Sequence, residues 1–237
     1  MNTTKEKMLD DAILFASMCH SGQNRATGEA YIFHPLEVVS ILREFTGFPC
    51  FLDESILVKG VLHDTIESGN TNFLQLKSMY GLEIAEVILG MSKNDKKDFF
   101  HLSKKYGVWS DEKILKNFKN DCELIKIRTL HYASKYEAAA QIHPEMFIVK
   151  LADQLSNIRT CAVFPKKKYL RILQTISQIF IPIYKRNIQK IPNESLNIAF
   201  EKIFKDVCMM LAFHKRIGYE KMHDNCMKKI RMSTREK

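Results

Sequence analysis

The sequence predicts an all-α protein, a single-domain helical bundle, and three observations carry that prediction. Nine glycines and six prolines make up about 6% of the 237 residues, roughly half the usual share of ~12%, so the turn punctuation of sandwiches and barrels is missing. Apolar residues recur at helical spacing along most of the chain. No strand pair bounded by hairpin residues, no internal repeat and no domain linker is found. A hydrophobic fraction of 46% beside 27% charged residues fits one globular domain and argues against disorder.

Each element can be justified in turn. Met8, Ala12, Phe15, Ala16 and Cys19 form a helical stripe that Gly22 is placed to end. The polar stretch GQNRATGEAYIFHP reads as a loop, closed by Pro35 as the first residue of a helix running to about Glu44. A third helix is expected from Asp53 to about Ile66, with Asp53 and Glu54 in its dipole-favoured first turn. Two shorter helices, Asn72 to Tyr80 and Leu82 to Met91, are parted by Gly81. The stretch Ser92 to Asp111 has no clean period and holds the only tryptophan, Trp109, so it reads as a surface loop or insertion.

Helical pattern resumes from about Asp111 to Ala140. The stretch from Pro144 to Thr160 is apolar on most sides, as expected of a helix in the bundle centre whose polar residues need partners. Another helix is expected from Tyr169 to about Gln189, interrupted by Pro182, and the tail from Asn193 to about Ile230 reads as one or two amphipathic helices. The expected division is a domain over residues 1–190 with a basic helical tail, 191–237, packed on it.

Six scattered cysteines without a C-x-x-C pair, a polar N-terminus and no apolar run near the ~18 residues of a membrane span imply a reduced, soluble, cytoplasmic protein with no membrane partner. The net charge of +9 invites an anionic partner. A nucleic-acid partner is set aside, because no binding signature appears and Lys166-Lys167-Lys168 reads as a solvated helix start. The excess is unevenly placed: residues 165–190 carry seven basic side chains and no acid, whereas residues 1–164 are slightly acidic. That arrangement suits a small phosphorylated nucleotide, provided the basic segment folds back toward the site.

The chemistry-bearing residues are individually ambiguous. His63-Asp64 offers an imidazole and a carboxylate to one divalent metal, but roughly 0.4 such dipeptides are expected from composition alone. On a continuous helix Glu67 would project from the same side. Asp153 sits in the apolar LADQL, with Asn157 one turn later. A buried carboxylate there should meet a cation, either a lysine or arginine or a metal. His34, before Pro35, reads equally as a loop or cap histidine.

Together, an isolated histidine, a His-Asp pair and a late aspartate follow the ligand order of the HD-type metal phosphohydrolases. GQNRATGEAYIFHPLEV, GVLHDTIES, VKLADQLSNIRT and IFIPIYKRN resemble, in order, the four blocks of the hydrolase domain in the RelA/SpoT homologue family, which degrades the alarmones ppGpp and pppGpp. The resemblance runs from about Asp10 to Asn187. No block resembling the family's synthetase domain follows, so the match is to hydrolase-only small alarmone hydrolases, including the metazoan SpoT-like enzymes.

The resemblance implies that His34, His63, Asp64 and Asp153 ligate Mn²⁺. It implies that Glu67 positions or deprotonates the attacking water, that Arg25 stacks on guanine, and that Thr27, Asn157 and Thr160 line the nucleotide pocket. Lys150 is a looser candidate for phosphate contact. The implied reaction is attack of metal-activated water on the 3′-diphosphate, releasing pyrophosphate and returning GDP or GTP.

Two positions depart from the family pattern. Ser68 stands where the family has a second acid, and serine cannot act as a carboxylate base, so turnover is expected to fall by ~10²-fold or more if both acids share the proton. Ala26 stands where a basic residue is usual, which would loosen purine choice toward adenine analogues. Two alternatives therefore stay open. One is an HD-type phosphohydrolase acting on another nucleotide, such as an adenine alarmone, NADPH, a deoxynucleotide or a cyclic nucleotide. The other is a catalytically weakened protein that binds alarmone.

Overall fold

The structure, a computed structural model, describes residues 3–46, 52–68, 70–93, 122–191 and 193–235. It contains no strand among the described residues; an isolated bridge between Asn24 and Ala30 closes the loop before His34. The helices are α1 (Thr3–Cys19), α2 (Phe33–Arg43), α3 (Ser55–Leu62), α4 (Thr65–Ser68), α5 (Phe73–Tyr80), α6 (Leu82–Met91), α7 (Cys122–Ile142), α8 (Glu145–Thr160), α9 (Lys166–Thr175), α10 (Ile181–Asn187), α11 (Glu194–Ile217) and α12 (Tyr219–Arg235). Most of the expected 92–111 loop and the start of the helix expected from Asp111 lie outside the described residues.

α8 occupies the centre. Residues 146–156 and Ile158 are all buried, and the helix packs against α2, α3 and α11. Its buried polar side chains find partners as expected: Tyr184 donates to Gln154 Oε1 at 3.0 Å, and Ser156 donates to Glu37 Oε2 at 2.8 Å. One core cluster runs from Leu9 on α1 to Val207 on α11, so Ala199, Phe200, Ile203 and Val207 bury the first tail helix against the rest. Gly218, at φ +81°, lets the chain leave α11 in a left-handed turn. α12 then covers Cys161, Ala162 and Tyr169 with Tyr219, Met222 and Cys226.

Three boundaries differ from the sequence expectation, each for a local reason. α2 starts at Phe33, which puts His34 inside its first turn and Pro35 third, where an N–H is still not required. The helix expected to continue through Ile66 stops at Leu62. There the His63 Nδ1–H donates to the Gly60 carbonyl at 2.7 Å and the Thr65 hydroxyl to the Leu62 carbonyl at 2.7 Å, so side chains take acceptors that the helix would use. Pro182 does not interrupt its helix. Ile176–Phe180 forms a π-helical turn, with Ile181 N–H reaching back to the Ile176 carbonyl, and this wider turn carries the chain past a ring that clashes with a regular α-turn.

Candidate metal centre

Close packing of α2 on α3 brings the two histidines together. A methyl group at Gly60 would meet Leu42 Cδ1 at 2.6 Å, so any larger residue there would have to displace the Leu42 side chain from the α2–α3 contact. The His34 and His63 rings lie 5.2 Å apart, edge to face. Asp153 arrives from α8 above them. Ligand atoms of His34, His63 and Asp153, all buried, lie within 4.8 Å of one another.

Hydrogen bonds fix which ring nitrogens face the centre. His63 Nδ1–H is spent on the Gly60 carbonyl, leaving Nε2 with a lone pair, fully buried and without a hydrogen-bond partner. Ser156 donates its proton to Glu37, so it accepts from His34 Nδ1–H at 2.9 Å, and His34 Nε2 likewise presents a lone pair. These acceptors face carboxylate oxygens: His34 Nε2 is 3.1 Å from Asp153 Oδ1, and His63 Nε2 is 3.6 Å from the same atom and 3.3 Å from Asp64 Oδ2. Lone pairs converging in a buried site need a proton or a cation between them. Two imidazoles with carboxylates suit a borderline divalent ion, so the donor set fits a metal.

Without an ion, protons take that place. Burial alone would lower the His63 pKa, but Asp64 and Asp153 outweigh it and hold the imidazole up at about 10. Burial would raise the Asp64 pKa, and His63 overrides it, keeping the carboxyl well below the usual range. Burial likewise opposes ionised Asp153, while Lys150 and the two histidines hold it charged. The carboxylate is divided: Oδ2 accepts from Lys150 Nζ at 2.7 Å, and Oδ1 accepts from Asn157 at 2.6 Å and faces the imidazoles. Asp153 thus has both the cation partner of a structural ion pair and the geometry of a ligand.

The centre opens into a cavity of about 530 Å³ whose lining includes Arg25, His34, Lys93, Lys150, Asp153 and Asn157. The other expected site residues lie at varying distance from it. Asp64 sits beside the three ligand atoms, 3.8 Å from His34 Nε2, and accepts from the Tyr31 hydroxyl at 2.6 Å. Thr160 does not line the cavity but accepts from Arg25 Nη2 at 2.9 Å, which holds the guanidinium in place. Thr27 stays outside and donates to Glu29 at 3.4 Å. Glu67 is turned to Lys93, 3.2 Å away, on a short helix separate from that of His63. The Ser68 side chain lies outside the described residues.

Several supporting residues escaped the sequence reading. Tyr31, Glu37 and Ser156 orient the centre, and Tyr132 carries the ammonium groups of Lys93 and Lys150 over its ring at 5.4 and 5.7 Å. Tyr31 and Glu37 flank His34 in the first block, which is the one local signal. Ser156 and Tyr132 have none, because their roles depend on which helices pack together.

Comparison with known proteins agrees with this geometry. The family model described as "HD domain" matches residues 12–188, and the chain belongs to that family. Among its relatives are GTP pyrophosphokinase rsh of Brucella ovis (strain ATCC 25840 / 63/290 / NCTC 10512), 30% identical over 85% of this chain and 23% of the relative, and the bifunctional (p)ppGpp synthase/hydrolase SpoT of Escherichia coli (strain K12), 31% identical over 84% of this chain and 24% of the relative. The chain therefore spans about a quarter of these RelA/SpoT-type proteins. A solved structure described as "A metazoan ortholog of SpoT hydrolyzes ppGpp and plays a role in starvation responses" shares the fold, with a TM-score of 0.55 at 17% identity, covering 84% of this chain and 94% of that one. No helix among the described residues is long and apolar enough to cross a membrane.

Proposed function

We propose that the chain is a Mn²⁺-dependent 3′-pyrophosphohydrolase of guanosine 3′,5′-bis(diphosphate) and its 5′-triphosphate form, acting in the cytoplasm. In this reading residues 1–190 are the hydrolase unit and 191–237 a helical tail packed on it. The observation that carries the reading is the pair of imidazole lone pairs and the Asp153 carboxylate meeting at a buried point on the wall of a nucleotide-sized cavity. That the similar relatives include a (p)ppGpp synthase/hydrolase supports the choice of substrate. The four described free cysteines suit a reducing compartment.

His34, His63 and Asp153 would hold the ion, with Asp64 beside them as the fourth ligand. When bound, a divalent ion supplies Lewis acidity, acidifying water and neutralising phosphate charge. Tyr31 keeps Asp64 oriented by donating to it. Arg25, braced by Thr160, presents a planar face to the purine, and Asn157 and Lys150 border the same space. Thr27, outside the cavity and turned to Glu29, is given no contact with the nucleotide in this reading. Glu67, held by Lys93 in a short helix next to the His63 turn, is the carboxylate for the proton of the attacking water. Release of pyrophosphate then leaves GDP or GTP.

Incubation with guanosine 3′,5′-bis(diphosphate) and Mn²⁺, with and without chelator, followed by nucleotide chromatography, tests this. GDP and pyrophosphate are expected only without chelator, and chelator-insensitive loss of substrate overturns the metal mechanism. Ser68→Asp is expected to raise turnover by up to ~10²-fold; an unchanged rate removes that position from the proton work. Tight nucleotide binding with no product would favour the weakened, binding-only alternative.

A further inference from the structure

α9 and the start of the π-helical turn that follows it present one face to the cavity. Lys168, Arg171, Ile172, Thr175 and Ile176 all line it, at the i, i+3, i+4, i+7 and i+8 spacing of a single helical stripe. The basic segment therefore does fold back onto the candidate site, and it brings two neighbouring cations with it.

These two cations differ from the others near the cavity. Lys150 is committed to Asp153 and Lys93 to Glu67. On the same basic segment Lys166 pairs with Glu220 at 2.7 Å and Arg186 with Glu137. Lys168 and Arg171 are exposed and have no carboxylate partner among the described residues; local desolvation and the Arg171 charge together lower the Lys168 pKa. Lys168 Nζ rests 3.4 Å from the centroid of the Phe164 ring, itself part of the cavity wall, so the ammonium is braced without being neutralised. Two adjacent like charges held at a cavity mouth repel one another and gain most from a shared polyanion.

We propose that Lys168 and Arg171 form a second phosphate subsite that takes the 5′-diphosphate of the nucleotide and selects substrates phosphorylated at both ends of the ribose. The inference rests on the reading that the 3′-diphosphate is directed to the His34–His63–Asp153 centre. The pair stands on the α9 wall of the cavity, whereas the centre is built from α2, the turn after α3, and α8, so the pair serves a different part of the ligand. The guanidinium supplies a planar two-point contact to phosphate oxygens and the ammonium a point charge.

Guanosine 3′,5′-bis(diphosphate) and guanosine 3′-diphosphate, which differ only at C5′, are the probes. With Mn²⁺ the wild-type KM is expected to be lower for the first by about tenfold or more. Lys168→Ala and Arg171→Ala each reduce that ratio, and the double substitution brings it to about one. Lys167→Ala, adjacent but outside the cavity, keeps the wild-type ratio. An unchanged ratio in the double variant, or a loss falling equally on both probes, overturns the subsite. If neither probe yields pyrophosphate, the hydrolase reading fails by itself, and equilibrium dialysis of the same probes against the same variants still decides the subsite. Tighter binding of the bis(diphosphate) that depends on the pair supports it; equal or absent binding overturns it.

Discussion

The metal end of the cavity and the α9 wall are built on opposite electrostatic plans. At the metal end every described charge is buried or braced and meets a partner: Lys150 with Asp153, Lys93 with Glu67, Tyr31 with Asp64. Along α9 the cations at the mouth are exposed and have no carboxylate partner among the described residues. Buried, paired charges are costly to disturb, because removing one leaves its partner desolvated. Exposed, unpaired ones cost the fold almost nothing and remain available to a ligand. The first arrangement positions an ion and a water, and the second selects what enters.

Asp153→Asn should break the contrast most severely. With Lys150 and the two imidazoles left facing a neutral amide, Mn²⁺ affinity is expected to fall by at least about 100-fold, and stability by about 3–5 kcal/mol. Calorimetric titration and thermal melting measure both, and a variant melting like wild type would show that the ion pair contributes little.

pH separates ion from proton at the same centre. In the metal-free protein the His63 pKa stands at about 10 against an ordinary 6.5, so its stabilising contribution is fully present below about pH 6.5 and is lost as pH rises toward 10. Metal binding must displace that proton, so Mn²⁺ affinity is expected to weaken about tenfold for each pH unit below 10. The melting temperature gained from a fixed Mn²⁺ concentration should therefore widen from pH 6.5 to 9. A constant gain would mean that no proton is exchanged.

Ser156→Ala removes the link between His34 and Glu37 without touching a ligand. An expected loss of about 10- to 100-fold in metal affinity would be read by titration, and an unaltered affinity would reduce Ser156 to a packing residue. The smallest effect is predicted on the α9 wall: Lys168→Ala and Arg171→Ala should each change stability by no more than about 0.5 kcal/mol in denaturant titration, while altering substrate preference. A large destabilisation there would erase the contrast between the two walls.

Much of the site was legible in the order of its residues. His34, His63-Asp64 and Asp153 come from α2, the turn after α3, and α8, and only their types and order needed reading. The apolar character of 144–160 also announced a central helix in which Asp153 would need a cation. What misled was local: a continuous helix through His63 placed Glu67 on the wrong element, because periodicity does not register side chains that capture backbone carbonyls.

The sequence by itself determined the all-α class, the residue types able to hold an ion and the concentration of positive charge in residues 165–190, since these depend on spacing and composition. Only the tertiary structure decided that Gly60 lets two histidines meet, that Asp153 is shared between Lys150 and the centre, that Glu67 is held by Lys93, and that Lys168 and Arg171 reach the cavity. Each of these depends on which helix faces are pressed together, and a linear pattern of residues carries no term for that packing.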